Sequence, residues 1–186
     1  MRGTCTALLD GDRAVSYREL NYAANFVARR LLGSGFRRGG HAVVSMPVGV
    51  DLAIVLLAIL KAGGSYTWSD PAAASDVPRG VSISVGSSSG ESQYLVLDLT
   101  SVLAEPVASC PNLPIITRGA DAACLLQESG GSAAVMVPHA TIAALRTRAL
   151  PQPAPWIGDP GAFDLWMALM SGTTAVVETH AAAVAA

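Results

Sequence analysis

Lys61 is the only lysine among twelve basic residues, the other eleven being arginines. Any chemistry that needs a catalytic or phosphate-binding lysine must therefore use Lys61. Gly86-Ser87-Ser88-Ser89-Gly90 satisfies G-x-S-x-G, and Asp98 and His139 follow in the serine, aspartate, histidine order of a nucleophile elbow. Such an elbow needs a helix directly after the serine, to aim it and to supply an oxyanion-hole amide. Here Gly90 to Gln93 lead into another strand-like run, Tyr94 to Leu99, so the segment reads as a serine loop. Cys5, Cys110 and Cys124 are too few and too scattered for a disulfide framework or a zinc site, and read as small buried hydrophobes in a reducing compartment. Asp10, Asp12 and Asp76 lack calcium-loop spacing, so no metal site is expected. His139 reads as a first-turn helix residue whose imidazole bonds to nearby backbone, while His41 and His180 sit in a turn and a tail. Trp68, Trp156 and Trp166 read as core or interface anchors.

Composition bounds the setting of these residues. The chain has 186 residues, 51% of them hydrophobic, and a net charge of −2. That is length for one domain with one continuous core, independent of disulfides or a structural metal. Without a basic excess to neutralise phosphates, nucleic-acid binding is not expected. Charged residues make up 14%, against roughly 25% in average soluble domains, which points to extensive burial or a covered surface. Asp10, Asp12 and Arg13 interrupt any signal-peptide core. The longest apolar run, Val50 to Leu60, contains Asp51 and is well short of the about 20 residues that span a bilayer. The expectation is a soluble, cytoplasmic protein with no membrane partner.

Elements that could position these groups follow from periodicity. Thr6 to Leu9 and Ala14 to Val15 flank Asp10-Gly11-Asp12 as a hairpin. Ser16 and Glu19 form a capping box for a helix from Tyr17 to about Leu32, with Leu20, Ala23, Ala24, Val27 and Leu31 on its apolar stripe. Gly33 and Gly35 stop it. Ala42 to Met46 is a strand, Val50 to Ala62 a helix ended by Gly63-Gly64, and Ser65 to Trp68 the next strand. This is a βαβ unit with a parallel sheet. Beyond it, Val81 to Val85, Tyr94 to Leu99, Ile115 to Thr117 and Ala122 to Leu126 read as strands. The small-residue segment Ser129 to Ala134 leads to the apolar Val135 to Val137, then to a helix from near Pro138 to about Leu150. Pro151 to Pro160 reads as a linker or rigid loop. A helix near Phe163 to Met170 and a strand near Ala175 to Val177 close the fold, and the Ala-rich 179–186 reads as a tail beyond one 1–178 domain.

VSYRELNYAANFVARRLLGSGFRRGG at 15–40 and VGVDLAIVLLAILKAGGSYTWSDP at 48–71 resemble the N-terminal part of adenylate-forming, AMP-binding enzymes. The branch they resemble is the amino-acid adenylation domain of nonribosomal peptide synthetases. Ser16, Tyr17, Glu19 and Leu20 match one family segment; Leu60, Lys61, Ala62, Gly63, Tyr66, Asp70 and Pro71 match the next. FDLWMALMSGTTAVV at 163–177 is similar to a later segment, Gly172 and its following strand matching best. The fold implied is α/β, a layered sheet with helices packed on it.

The resemblance also implies a phosphate-binding loop of the form [ST]-G-[ST]-T-G-x-P-K-G, whose backbone N–H groups, hydroxyls and lysine surround ATP phosphates. Its place is Ser129 to Val137, because Pro138-His139 and the helix after them match the family pattern. Ser129 and Gly130 are kept; the Thr-Gly pair, the proline and the lysine are not. What is left is a remnant, Ser129, Gly130, Gly131 and Ser132. The family's later adenine, magnesium and ribose segments have no counterpart in this sequence, Glu178 being a late carboxylate in another context. The expectation is a truncated, non-catalytic adenylation-like domain without cofactor or metal. It would act as a scaffold or docking unit for a carrier protein, condensation domain or tailoring oxidase, and as a homo-oligomer. The alternative is residual amino-acid-activating activity completed in trans by another chain. An uncovered apolar face is expected near the Ser129 to Val137 loop and the segment with Trp156 and Trp166.

Overall fold

The computed structural model describes residues 3–69, 80–86, 92–97, 107–114, 117–127, 134–145, 153–156 and 161–178. Strands β1 (Thr6–Asp10) and β2 (Arg13–Ser16) form the expected hairpin, with Asp10 opposite Arg13 and Gly11 at a left-handed φ of 55° in the turn. Helix α1 (Tyr17–Gly33) starts at a complete capping box. Glu19 N donates to Ser16 Oγ at 3.2 Å, and Ser16 N donates back to Glu19 Oε2 at 2.8 Å. These two bonds satisfy amides that a helix start otherwise leaves without partners. Leu20, Ala24, Val27 and Leu31 of the apolar stripe are buried, and Gly35 turns the chain away at φ 94°.

Strand β3 (His41–Ser45), helix α2 (Val50–Lys61) and strand β4 (Ser65–Ser69) make the βαβ unit, β3 and β4 running parallel from His41–Ser65 to Ser45–Ser69. Eight of the twelve residues of α2 are buried, on every side of the helix. A helix apolar all round must be covered all round; α2 packs on α1, on β4 and on β1. Its ends are defined by neighbours. Asp10 of the β1–β2 turn accepts from Val50 N at 3.3 Å, and Arg13 pairs with Asp51 at 2.9 Å. At the far end Gly63 takes the left-handed conformation (φ 82°), which lets the chain reverse into β4. Gly64 lies directly under the buried Phe36 ring.

Two sheets result. β5 (Gly80–Gly86), β6 (Ser92–Leu97), β7 (Ala122–Gln127) and β8 (Ala134–Pro138) join β3 and β4 in the order β6-β5-β3-β4-β7-β8. β9 (Ala154–Trp156) and β10 (Ala175–Val177) join the hairpin in the order β2-β1-β10-β9. Helix α3 (His139–Ala144) follows β8, and α4 (Phe163–Ser171) packs on β9, β10 and α3. Tyr17 Oη donates to Thr173 O at 2.7 Å, joining the start of α1 to the end of α4. Trp166 Nε1 donates to Tyr66 Oη, which donates to Gly161 O, both at 2.8 Å, joining α4 to the large sheet.

Several expectations need correction. The large sheet is mixed: β3, β4 and β7 are parallel, but β5–β6 and β7–β8 are antiparallel pairs, because their short connections cannot cross over to a parallel partner. Ala154–Trp156, within the expected proline-rich linker, is a strand parallel to β10. Pro155 is tolerated because β9 is an edge, where one missing donor leaves no ladder bond broken. Thr117 lies in no strand. Pro138 is the N-cap of α3 rather than its first helical residue. Residues 115–116, 146–150 and the 179–186 tail lie outside the described residues.

A Cβ on Gly64 would stand 2.2 Å from Phe36 Cζ and 2.9 Å from Gly40 O, whereas one on Gly33 would meet nothing within 4 Å. Gly64→Ala is therefore expected to cost about 1–3 kcal/mol by overpacking, while Gly33→Ala is neutral or mildly stabilising. Urea unfolding of both variants checks this; equal midpoints would contradict the packing described.

Candidate functional site

The loop that the sequence assigns to phosphate joins β7 to β8. The pair is antiparallel, ending with Gln127 opposite Ala134, so residues 128–133 connect the two strands at the carboxyl end of the parallel set β3, β4 and β7. That is the end at which open α/β sheets hold ligands. Ser129, Gly130, Gly131 and Ser132 themselves lie outside the described residues. The strand after them is Val-rich and runs straight into His139.

Lys61 is at the other end of the sheet. It closes α2, which runs antiparallel to its flanking strands and delivers the chain to the start of β4. Parallel β4 and β7 begin at that end and the loop follows the far end of β7, so the length of a strand separates Lys61 from it. The Nζ donates to Asn21 Oδ1 of α1 at 2.8 Å. Asn21 and the buried Asn25 both donate to Asn112 Oδ1, and Asn25 also to Cys110 O. Lys61 thus holds α1 to α2 within a polar network. Burial pushes its pKa down, and the Arg29 charge adds to that effect.

His139 N donates to Asp121 O at 3.0 Å, and the Asp121 carboxylate holds Arg38 at 3.1 Å and Arg118 N at 2.8 Å. The imidazole was expected to bond to nearby backbone; its buried Nε2 has no hydrogen-bond partner among the described residues. Burial lowers the pKa of His139, with Asp121 opposing. His41 lies in β3 rather than in a turn. Its Nδ1 is 3.0 Å from Ser65 Oγ and its Nε2 3.1 Å from Thr67 Oγ1, and burial lowers its pKa too. Sequence reasoning missed this bridge, although period-two alternation places Ser65 and Thr67 on one face of β4.

Ser87, Ser88 and Ser89 of the serine loop, and Asp98, lie outside the described residues. Gly86 pairs with Ser92 in the antiparallel β5–β6 hairpin, so a strand, not a helix, follows the serines. The tryptophans are anchors as expected: Trp156 and Trp166 are buried and Trp68 Nε1 donates to Met46 O at 2.8 Å. The expected apolar face is therefore absent at Trp156 and Trp166. On β8, Val135 and Met136 are 53% and 54% exposed. Cys110 and Cys124 are buried, but Cys5 is exposed. Asp10 caps α2. No helix among the described residues is long and apolar enough to cross a membrane.

The two-sheet arrangement, with α2 buried between the sheets, is the fold of the N-terminal subdomain of adenylate-forming enzymes. The Klebsiella oxytoca NpsA N-terminal subdomain, solved in complex with 3-hydroxyanthranilyl-AMSN, superposes with a TM-score of 0.74 at 19% identity, over 95% of this chain and 50% of that one. Residues 2–86 match the AMP-binding enzyme family. Within that class the chain resembles the N-terminal part of a nonribosomal peptide synthetase adenylation domain. It is 29% identical over 196 residues to bacitracin synthase 1 of Bacillus licheniformis, covering 92% of this chain and 4% of the synthase. With surfactin synthase subunit 2 of Bacillus subtilis it shares 30% over 191 residues, 90% of this chain and 5% of the subunit. It thus spans a small fraction of these relatives.

Both histidines have folded-state pKa values below the ordinary value of about 6.5, so the unfolded chain binds more protons. Their contribution to stability is full above that value and is lost as pH falls through it toward the folded values. Glu19 and Asp121, lowered by hydrogen bonds to Ser16 and to Arg118 and Arg38, act only in the carboxylate range. The urea midpoint should therefore fall between pH 7.5 and 5.5, and His41→Gln should flatten that slope. A midpoint constant or rising toward pH 5.5 would contradict the assignment.

Proposed function

We propose that the chain is a non-catalytic adenylation-like unit, a scaffold or docking unit in nonribosomal peptide biosynthesis. The observation carrying this reading is the placement of the single lysine. A family phosphate loop joins backbone amides and hydroxyls to a lysine charge, and this chain's one lysine is bound to Asn21 at the opposite end of the sheet. Ser129, Gly130, Gly131 and Ser132 are then a remnant that keeps small residues without the cation. Ser129, Gly130, Gly131 and Ser132 supply neither the cation nor the carboxylate that an ATP–magnesium site needs. In this reading residues 1–178 form the unit, 179–186 an Ala-rich tail, and the setting is cytoplasmic. Its partners are a carrier protein, a condensation domain or a tailoring oxidase. The relatives' great length beyond the matched part supports such neighbours.

A second reading, amino-acid activation completed in trans, differs in what added chains would do. Calorimetric titration with ATP and magnesium should give no saturable heat. ATP–pyrophosphate exchange should stay at background for every amino acid, alone and with neighbouring synthetase chains added. Micromolar ATP affinity, or exchange restored by an added chain, would overturn the proposal; the latter would establish the second reading.

A further inference from the structure

Charge is unevenly placed on this molecule. Between Glu19 and Asp51 the sequence holds Arg29, Arg30, Arg37 and Arg38 and no acidic residue. Arg29 and Arg30 lie in the last turns of α1, and Arg37 and Arg38 in the connection from α1 to β3. The Asp121 carboxylate bonds Arg38 and the Arg118 amide, which sets the segment before β7 against that connection. All five arginines are exposed. Asp121 is the one carboxylate in these segments, so this end carries a net +4 in a chain of net charge −2 and leaves −6 elsewhere. Helix dipoles explain little of it. A helix C-terminus favours cations, but of the five only Arg30 is in the last turn of α1. The ground between the arginines is open: Gly33 and Gly39 are exposed, and a Cβ on either would meet nothing within 4 Å. Three guanidiniums are already placed. Arg29 Nη1 donates to Asn25 O at 3.2 Å and to Cys110 Sγ at 3.1 Å, Arg30 stands 6.0 Å from the Phe26 ring centroid, and Arg38 pairs with Asp121.

We propose that this arginine-bearing end docks an acidic surface segment of a neighbouring polypeptide, through carboxylate–guanidinium pairs centred on Arg30 and Arg37. A guanidinium fork matches a carboxylate bidentately, and guanidiniums already placed lose little freedom on meeting one. The charge layout selects the class of partner. A nucleic acid or an anionic membrane is negative over a length or a plane well beyond the patch, so it also meets the negative remainder of this chain. A local cluster of Asp and Glu meets the arginines alone, and the same remainder steers it toward them. One small anion cannot reach arginines spread over α1 and the two segments beside it. The surface serves the docking role proposed above and rests on that reading for the identity of the neighbour. Peptide binding and nucleotide binding are separate measurements, so either can fail while the other holds.

The test titrates the full chain against three probes: a fluorescein-labelled Glu-Gly repeat peptide, a thymidine oligonucleotide of equal charge, and phosphatidylserine vesicles. The peptide should bind, and its affinity should fall at least about tenfold between about 50 mM and 200 mM salt. Arg30→Glu and Arg37→Glu should each weaken it at least about fivefold. Arg18→Glu makes the same charge reversal at the start of α1, where Arg18 is also exposed. It should change peptide affinity less than about twofold, because a docking surface is local and net charge is not. Circular dichroism unchanged in all three variants shows that each folds. Absence of peptide binding, or an equal loss in Arg18→Glu, would overturn the proposal. So would tighter binding of the oligonucleotide or the vesicles than of the peptide, which would give this end to a phosphate-bearing partner.

Discussion

A helix that is apolar on every side cannot rest on one surface, and the rest of the fold follows from covering α2. Leu52, Val55, Leu56 and Ile59 are wholly buried, and full burial of such a side chain is worth about 1.5–3 kcal/mol. One sheet covers one side of a helix; α2 has β4 on one flank, β1 on another and α1 beside it. The small sheet is therefore part of the same core as the large one. The bonds that fasten the layers serve this arrangement: Asp10 on the first turn of α2, Lys61 to Asn21 across the helices, and the Tyr66–Trp166 pair to α4.

The same constraint fixes the chemistry. A parallel βαβ connection sends its helix back along the sheet, so the end of α2 and the ends of the strands lie on opposite sides of the molecule. A lysine that closes α2 cannot also serve a loop that follows β7. Helix α1 has its capping box and α2 its Gly63 stop, while β8, after the connection at the carboxyl end of the sheet, is uncharged.

The first seventy residues were legible because their signals are local. The capping box, the Gly63-Gly64 stop and the 3.6-residue stripe each act within one element, and each is in place. What the sequence did not disclose are contacts between distant elements. Nothing near Asp10 marks it as the cap of a helix forty residues later, and nothing near Lys61 marks Asn21 as its partner. β9 was hidden because proline argues against a strand unless the strand is an edge, a property of the whole sheet. β5, β6 and β7 were legible as strands and β8 only as an apolar run, but neither pair was legible as a hairpin, since Gly86 and Gln127 begin connections without a short turn signature. Of the candidate site, its place in the chain was readable from the strand and His139 that follow it, whereas its distance from Lys61 required the topology.

In the proposed reading α2 anchors the core and the carboxyl end of the sheet does not engage nucleotide. Hydrogen–deuterium exchange of the full chain, with and without excess ATP and magnesium, tests both halves at once. The account predicts that the α2 amides exchange only through global unfolding and that no segment, the β7–β8 pair included, changes its protection when nucleotide is added. Rapid exchange in α2, or protection gained across β7–β8 with ATP, would contradict it.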